Sequence, residues 1–249
     1  MPYIVLLYYH FVHIDDAESF WRDHKKLCQD LDLKGRILIA SEGLNGTVAG
    51  TSENIALYKK ILWQDSRFAT MTFKESPAET VPFQKLKIKL RPEVISLHQD
   101  VPLDPHARGE YISPAELEAL YNSNEEFYIV DARNVYESDV GAFNGAILPE
   151  IQNFRELPDS VASLSELRHK KVVTYCTGGI RCEKASSLLK NKGFQDVYQL
   201  EGGIVSYLMQ FPNSNFQGSC YVFDDRMQLT QDEIARHGSV SRRLEYQEQ

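Results

Sequence analysis

The stretch Lys171 to Lys184, KVVTYCTGGIRCEK, constrains this chain more than any other. A run of β-formers, Val172, Val173, Thr174 and Tyr175, ends at Cys176. Thr177, Gly178, Gly179 and Ile180 follow, and from Arg181 the pattern is helical through Leu189. A strand, a glycine-containing loop and a helix in that order aim backbone N–H groups and the positive end of a helix dipole at one point. The residue entering that point is a cysteine, and such a setting favours the nucleophilic thiolate over the thiol. Gly178 and Gly179 allow a tight turn that approaches the sulfur closely. The plainer alternative is a small buried hydrophobe at a strand end. A packed cysteine has no need of Thr-Gly-Gly behind it and an arginine at the helix start, so Cys176 is expected to be catalytic. Arg181 is expected to add a positive charge beside it.

Four cysteines, Cys28, Cys176, Cys182 and Cys220, are too few for a disulfide framework in a chain of 249 residues. None forms a C-x-x-C pair and the histidines are scattered, so no metal site is expected. Cys28 falls in a helical pattern and reads as packing. Cys182 lies six residues after Cys176, at the first turn of the same helix. It can resolve an oxidised or persulfidic Cys176 through a disulfide, or simply pack. Packing is the preferred reading, because so short a loop would have to distort to reach disulfide geometry.

Hydrophobic content of 43% and charged content of 25% are globular values, and the length suits one large or two modest domains. No run is long and apolar enough to span a bilayer. The first residues, MPYIVLLYYHFV, lack a positive n-region and read as a strand, so a cytoplasmic protein without membrane association is expected. A net charge of −8 argues against indiscriminate nucleic-acid binding, DNA included, but leaves room for a local basic groove.

Taken in order, Tyr3 to Val12 reads as a strand and a helix follows, capped by Asp15 or Asp16 and ended by Gly35. Short strands at Ile37 to Ala40 and Thr47 to Ala49 flank Ser41 to Gly46 as a hairpin connection. Thr51 or Ser52 opens a second helix, and strands follow at Thr70 to Lys74 and Phe83 to Arg91. The β-α-β-β-α-β order is ferredoxin-like. In the last strand Lys85, Lys87, Lys89 and Arg91 alternate with Leu86, Ile88 and Leu90. That row is either the solvated face of a half-buried strand or a phosphate-binding stripe for a polyanion.

Pro92, Pro102, Pro105 and Pro114 mark a connection, after which Ser113 and Glu116 form a capping box. Strands at Phe127 to Arg133, at Lys171 to Cys176 and at Gln195 to Leu200 then alternate with helices. That order implies a parallel sheet with its ligand at the carboxyl ends of the strands. Asp131 and Arg133 sit at such an end and are expected to support Cys176. Tyr221 to Arg226 reads as a short strand, and the last residues as a polar tail. The expected layout is a ferredoxin-like (acylphosphatase-like) domain over 1–92, a linker over 93–110, a parallel α/β domain over 111–211 and a C-terminal extension over 212–249.

These residues also carry a resemblance. In cysteine phosphatases the arginine follows in a C-x5-R loop; here Cys176 to Arg181 is C-x4-R, similar to the rhodanese-like sulfurtransferases. Residues from about Tyr111 to Met209 resemble a rhodanese domain, with Gly141-Ala142-Phe143 where the usual modules carry Gly-His-Ile. The whole chain, through SEGLNGT (Ser41 to Thr47), CTGGIRCEKAS (Cys176 to Ser186) and YVFDDR (Tyr221 to Arg226), resembles the bacterial tRNA uridine hydroxylases. The resemblance implies oxygen-dependent conversion of wobble uridine to 5-hydroxyuridine. Molecular oxygen would be the co-substrate, no cofactor would be tightly bound, and tRNA would be the partner. Cys176 would react, persulfidic when charged by a sulfur donor. Many relatives continue into a cysteine-rich segment where this sequence has Cys220 alone, so no metal role is carried over. A plain thiosulfate-type sulfurtransferase is the alternative. The basic strand favours the tRNA enzyme, since a small anionic donor needs no such platform.

Overall fold

The structure is a computed structural model that describes residues 3–97 and 107–243. It divides into two compact units. Met1–Ile95, Phe223–Met227 and His237–Gln249 form the first, and Ser96–Val222 with Gln228–Arg236 the second.

In the first unit β1 (Tyr3–Phe11) leads into α1 (Ala17–Asp30), where the Asp16 carboxylate caps the Ser19 N–H at 2.9 Å. β2 (Lys34–Ala40), β3 (Gly43–Thr51), α2 (Ser52–Gln64), β4 (Phe73–Ala78) and β5 (Leu86–Leu90) follow. The strands lie in the order β4-β1-β3-β2-β5, and β5 runs parallel to β2. The first four form the expected ferredoxin-like arrangement; β5 is an additional strand on its edge. Leu6, Tyr8, Ile37, Ile39, Leu44 and Val48 face α1 and α2, packing with Ile55, Leu62 and Trp63.

Three expectations need correcting. Gly35 does not end α1: Asp32 takes the left-handed turn, φ 47°, and Gly35 lies inside β2. There, at φ 142°, a Cβ would come within 2.2 Å of the Thr47 carbonyl oxygen. The hairpin turn holds only Ser41 and Glu42, and the rest of SEGLNGT is strand. Its polar groups fix the chain leaving the sheet: the Glu42 carboxylate accepts from the Val94 N–H (2.7 Å) and Asn45 Nδ2 donates to the Val94 carbonyl (2.9 Å). Finally, β4 starts at Phe73 and continues through Pro77 rather than spanning Thr70 to Lys74.

The second unit opens with β6 (Glu110–Ile112) and α3 (Pro114–Tyr121), whose Ser113–Glu116 capping box is formed as expected. β7 (Tyr128–Asp131), α4 (Val135–Ser138), β8 (Gly141–Phe143) and α5 (Leu157–Ser160) come next. β9 (Lys171–Tyr175), α6 (Ile180–Asn191), β10 (Asp196–Leu200) and α7 (Gly203–Gln210) complete the alternation. The sheet, β6-β10-β9-β7, is parallel throughout. Phe143, in the non-standard Gly-Ala-Phe, is a packing residue: its ring meets Tyr175, Tyr207 and Phe216 at 4.9, 4.7 and 5.2 Å between centroids.

After α7 come β11 (Phe216–Gly218), paired with β8, and β12 (Cys220–Tyr221), paired with β13 (Gln228–Leu229). The expected strand from Tyr221 to Arg226 is therefore mostly a turn, closed by the Asp224–Arg226 ion pair at 2.6 Å. α8 (Gln231–His237) leads to β14 (Ser239–Ser241), which joins the first unit's sheet beside β4. Pro102 and Pro105, and the tail from Leu244, lie outside the described residues. Among the described residues no helix is long and apolar enough to cross a membrane.

Candidate active site

β9 is flanked by β7 and β10, so its carboxyl end lies in the middle of the parallel sheet, where such folds place their ligands. Cys176 follows directly. Gly179, at φ 105°, turns the chain into α6, and its N–H donates to Cys176 Sγ at 3.1 Å. Two of the loop's carbonyls face the other way. The first N–H groups of α7, from Ile204 and Val205, donate to the Cys176 and Thr177 carbonyls at 3.0 and 3.1 Å. Gly203 makes this closeness feasible: its φ is +66° and a Cβ would stand 2.4 Å from the Cys176 oxygen. With these two carbonyls drawn toward α7, the Gly179 and Arg181 amides face the sulfur, while the Cys182 N–H donates to the Gly179 carbonyl at 3.0 Å.

Arg181 is held by a residue that sequence reasoning passed over. Its Nη1 and Nη2 donate to the two carboxylate oxygens of Glu137 at 2.6 and 2.7 Å, and both side chains are buried. Glu137 also accepts from the Asn134 N–H at 3.3 Å. Arg133 supports the same residue from behind. Its guanidinium pairs with Asp131 (2.7 Å), donates to the Glu137 carbonyl (3.3 Å) and donates to the Gly141 carbonyl (2.6 Å). Ser138 Oγ donates to Asp131 at 2.9 Å. Asp131 and Arg133, expected to support the cysteine, do not touch it directly: Arg133 reaches the Glu137 carbonyl, and the Glu137 carboxylate pairs with Arg181. The sequence cue was Asn134-x-x-Glu137, a capping-box spacing, which marks a helix start and says nothing of a charge 44 residues downstream.

Burial pushes a thiol up, and it does so for Cys220 and Cys28, both to about 12. Cys176 is equally buried, yet its thiol is brought down to about 5. A hydrogen bond from Cys182, the Arg181 charge and the Arg181 and Gly179 amides outweigh desolvation there. Cys182 itself is pushed well up by burial and by the thiolate it faces. It is a proton-bearing donor to Cys176, and neither sulfur is in a disulfide. Accordingly, Cys182→Ala is expected to raise the Cys176 titration and to leave multiple turnover intact. Loss of multiple turnover with single sulfur loading preserved would assign Cys182 the resolving role instead.

The remaining cations of the sequence reading lie in the first unit. Lys85, Lys87, Lys89 and Arg91 are all exposed in and beside β5, the edge strand of that sheet among the described residues.

A buried cysteine with a lowered thiol pKa in a C-x4-R loop at the end of a parallel strand, together with a separate ferredoxin-like sheet, defines a two-domain rhodanese-type protein. Residues 3–94 match the UPF0176 acylphosphatase like domain and residues 113–210 the rhodanese-like domain. The chain is 48% identical over 232 residues to the tRNA uridine(34) hydroxylase of Bacillus licheniformis, covering 91% of this chain and 71% of that one. Those of Listeria welshimeri (46%, covering 93% and 74%) and Cytophaga hutchinsonii (44%, covering 90% and 72%) are similar. The chain belongs to the tRNA uridine(34) hydroxylase family.

Proposed function

We propose that this chain hydroxylates uridine 34 of tRNA to 5-hydroxyuridine, with molecular oxygen as co-substrate and Cys176 as the reactive group. The observation that carries the reading is the contrast among four buried cysteines, of which Cys176 alone is poised as a thiolate. Loop amides turned toward Sγ also suit an outer sulfur, so we assign a sulfane-sulfur donor as partner and a persulfide as the charged form of Cys176. Inserting one oxygen atom at C5 and releasing the other as water consumes two electrons. We propose that two external thiols supply them at Cys176, giving up two electrons and two protons and leaving as a disulfide. With its tRNA substrate, the protein is assigned to the cytoplasm.

Nucleoside mass spectrometry of tRNA tests this. Cells lacking the protein are expected to lose 5-hydroxyuridine and its derivatives, and to regain them with the wild-type copy but not with Cys176→Ala. Restoration by Cys176→Ala would overturn the reading. Unchanged nucleosides together with Cys176-dependent transfer of sulfur from thiosulfate would put the sulfurtransferase in its place.

A further inference from the structure

The first unit contains a second site that the cysteine chemistry does not use. Between α1 and the free edge of its sheet lies a cleft of about 280 Å3, lined by Lys25, Gln29, Asp32, Leu33, Lys34, Lys85, Leu86 and Ile88. Three lysines converge there from three elements: Lys25 from α1, Lys34 from the start of β2, and Lys85 from the entry to β5. Asp32 is the one carboxylate among the lining residues. Among the described residues none of the three lysines is ion-paired.

Lys85 of the cleft also begins a row of cations on the other face of the sheet. β5 pairs in parallel with β2 so that Arg36 stands beside Lys87 on one face, while Leu86 and Ile88 turn toward the core. Lys85, Lys87, Lys89 and Arg91 then repeat at about 6.6 Å along the strand, and Arg36 adds a cation from the neighbouring strand. Lysines on an exposed edge strand often serve only to block edge-to-edge pairing. That explanation covers residues of β5 itself. It does not account for Lys25 and Lys34, which belong to other elements. Nor does it account for Trp21, whose Nε1 already occupies the outward Ile88 carbonyl at 3.1 Å while Lys25 sits over its ring at 5.4 Å. In a chain of net charge −8, three lysines gathered around a single carboxylate and ion-paired to none leave an excess of positive charge that an anionic ligand would balance.

We propose that this edge is a sugar–phosphate binding site, in which Lys25, Lys34 and Lys85 receive one phosphate of an RNA strand and Arg36, Lys87, Lys89 and Arg91 receive those that follow. The choice of RNA as occupant rests on the tRNA-modifying function proposed above; the anion chemistry rests on the cleft alone. Because the contacts are to phosphates, the site fixes position and confers no base preference.

The test uses the full chain and a tRNA transcript, with binding followed by fluorescence anisotropy over a range of salt. Lys25→Gln/Lys34→Gln/Lys85→Gln is compared with a control of equal net charge, Lys60→Gln/Lys170→Gln/Lys192→Gln. The cleft variant is expected to bind about tenfold or more weakly at low salt, with its log–log salt slope reduced by roughly 2, while the control matches wild type. Double-stranded DNA of similar length is expected to compete poorly; equal competition would make the site a general polyanion surface and overturn the RNA assignment. Equal losses in both variants, or none in either, overturn the site, and so does an intact RNA isotherm with lost binding to an acidic protein partner. A wild-type protein that modifies no tRNA while the cleft variant still loses RNA affinity would remove the functional reading and leave this one standing.

Discussion

Cys176→Ser is expected to abolish tRNA hydroxylation while the protein stays folded, and to change how its stability depends on pH. The folded Cys176 titrates near 5, against about 9 for an unperturbed thiol. A group whose folded value is depressed stabilises the fold fully above its unfolded value. That stabilisation shrinks as pH falls and is gone below the folded value. Between about pH 9 and pH 5 the wild type therefore loses stability from this one group, and Cys176→Ser does not. The wild-type-minus-Ser difference in thiolate ultraviolet absorbance should show a midpoint near 5. A midpoint at or above about 8.5 would mean the loop does not activate the cysteine. Parallel stability–pH profiles for the two proteins would say the same.

The second large effect is expected at Glu137. Removing one member of a buried ion pair leaves the other charge uncompensated, at about 3–5 kcal/mol. Glu137→Ala strands Arg181, and Glu137→Gln, which keeps an acceptor, should cost less. Freed of its carboxylate, Arg181 presents more positive charge to Cys176, so in Glu137→Gln the thiolate midpoint should move down rather than up. A residue that only fills space would lower stability without moving that titration. Arg181→Met should raise the midpoint, and the Arg181→Met/Glu137→Leu double variant should recover stability relative to either single change. Additive losses in that cycle would show that the pair is not coupled.

These two residues also mark what was legible in advance. The Cys176 loop could be read because its chemistry is contiguous: strand, turn and helix start fall within one stretch, and local rules suffice. Glu137 could not, because its role depends on β7 and β9 being neighbours, which sets the two ends of a pair 44 residues apart side by side. The same holds for Gly203, whose missing Cβ matters only against the Cys176 carbonyl. Cap chemistry was legible at Ser113 and Asp16 and misleading at Gly35, where a close strand crossing, not a helix end, requires glycine. β4 runs on through Pro77 because β14 covers it only as far as Glu75, so the proline sits where one flank is open and no ladder donor is lost there. β6 escaped notice because three residues carry no readable period.

The return of β14 to the first sheet has a consequence for how the chain is made. Lys59 and Glu75 form an ion pair in the first unit, and both bond to Ser241, Lys59 at 3.1 Å. A ribosome releases residues 1–95 early, but the strand that flanks β4 and completes this polar cluster comes out only after the whole second unit. At synthesis rates of roughly 5–20 residues per second, that interval is on the order of ten to thirty seconds. For that time the edge of β4 is an unfilled seat, open to any other extended segment nearby. Rapid translation, or a chaperone holding that edge, would do for the nascent chain what Ser239–Ser241 does for the finished one.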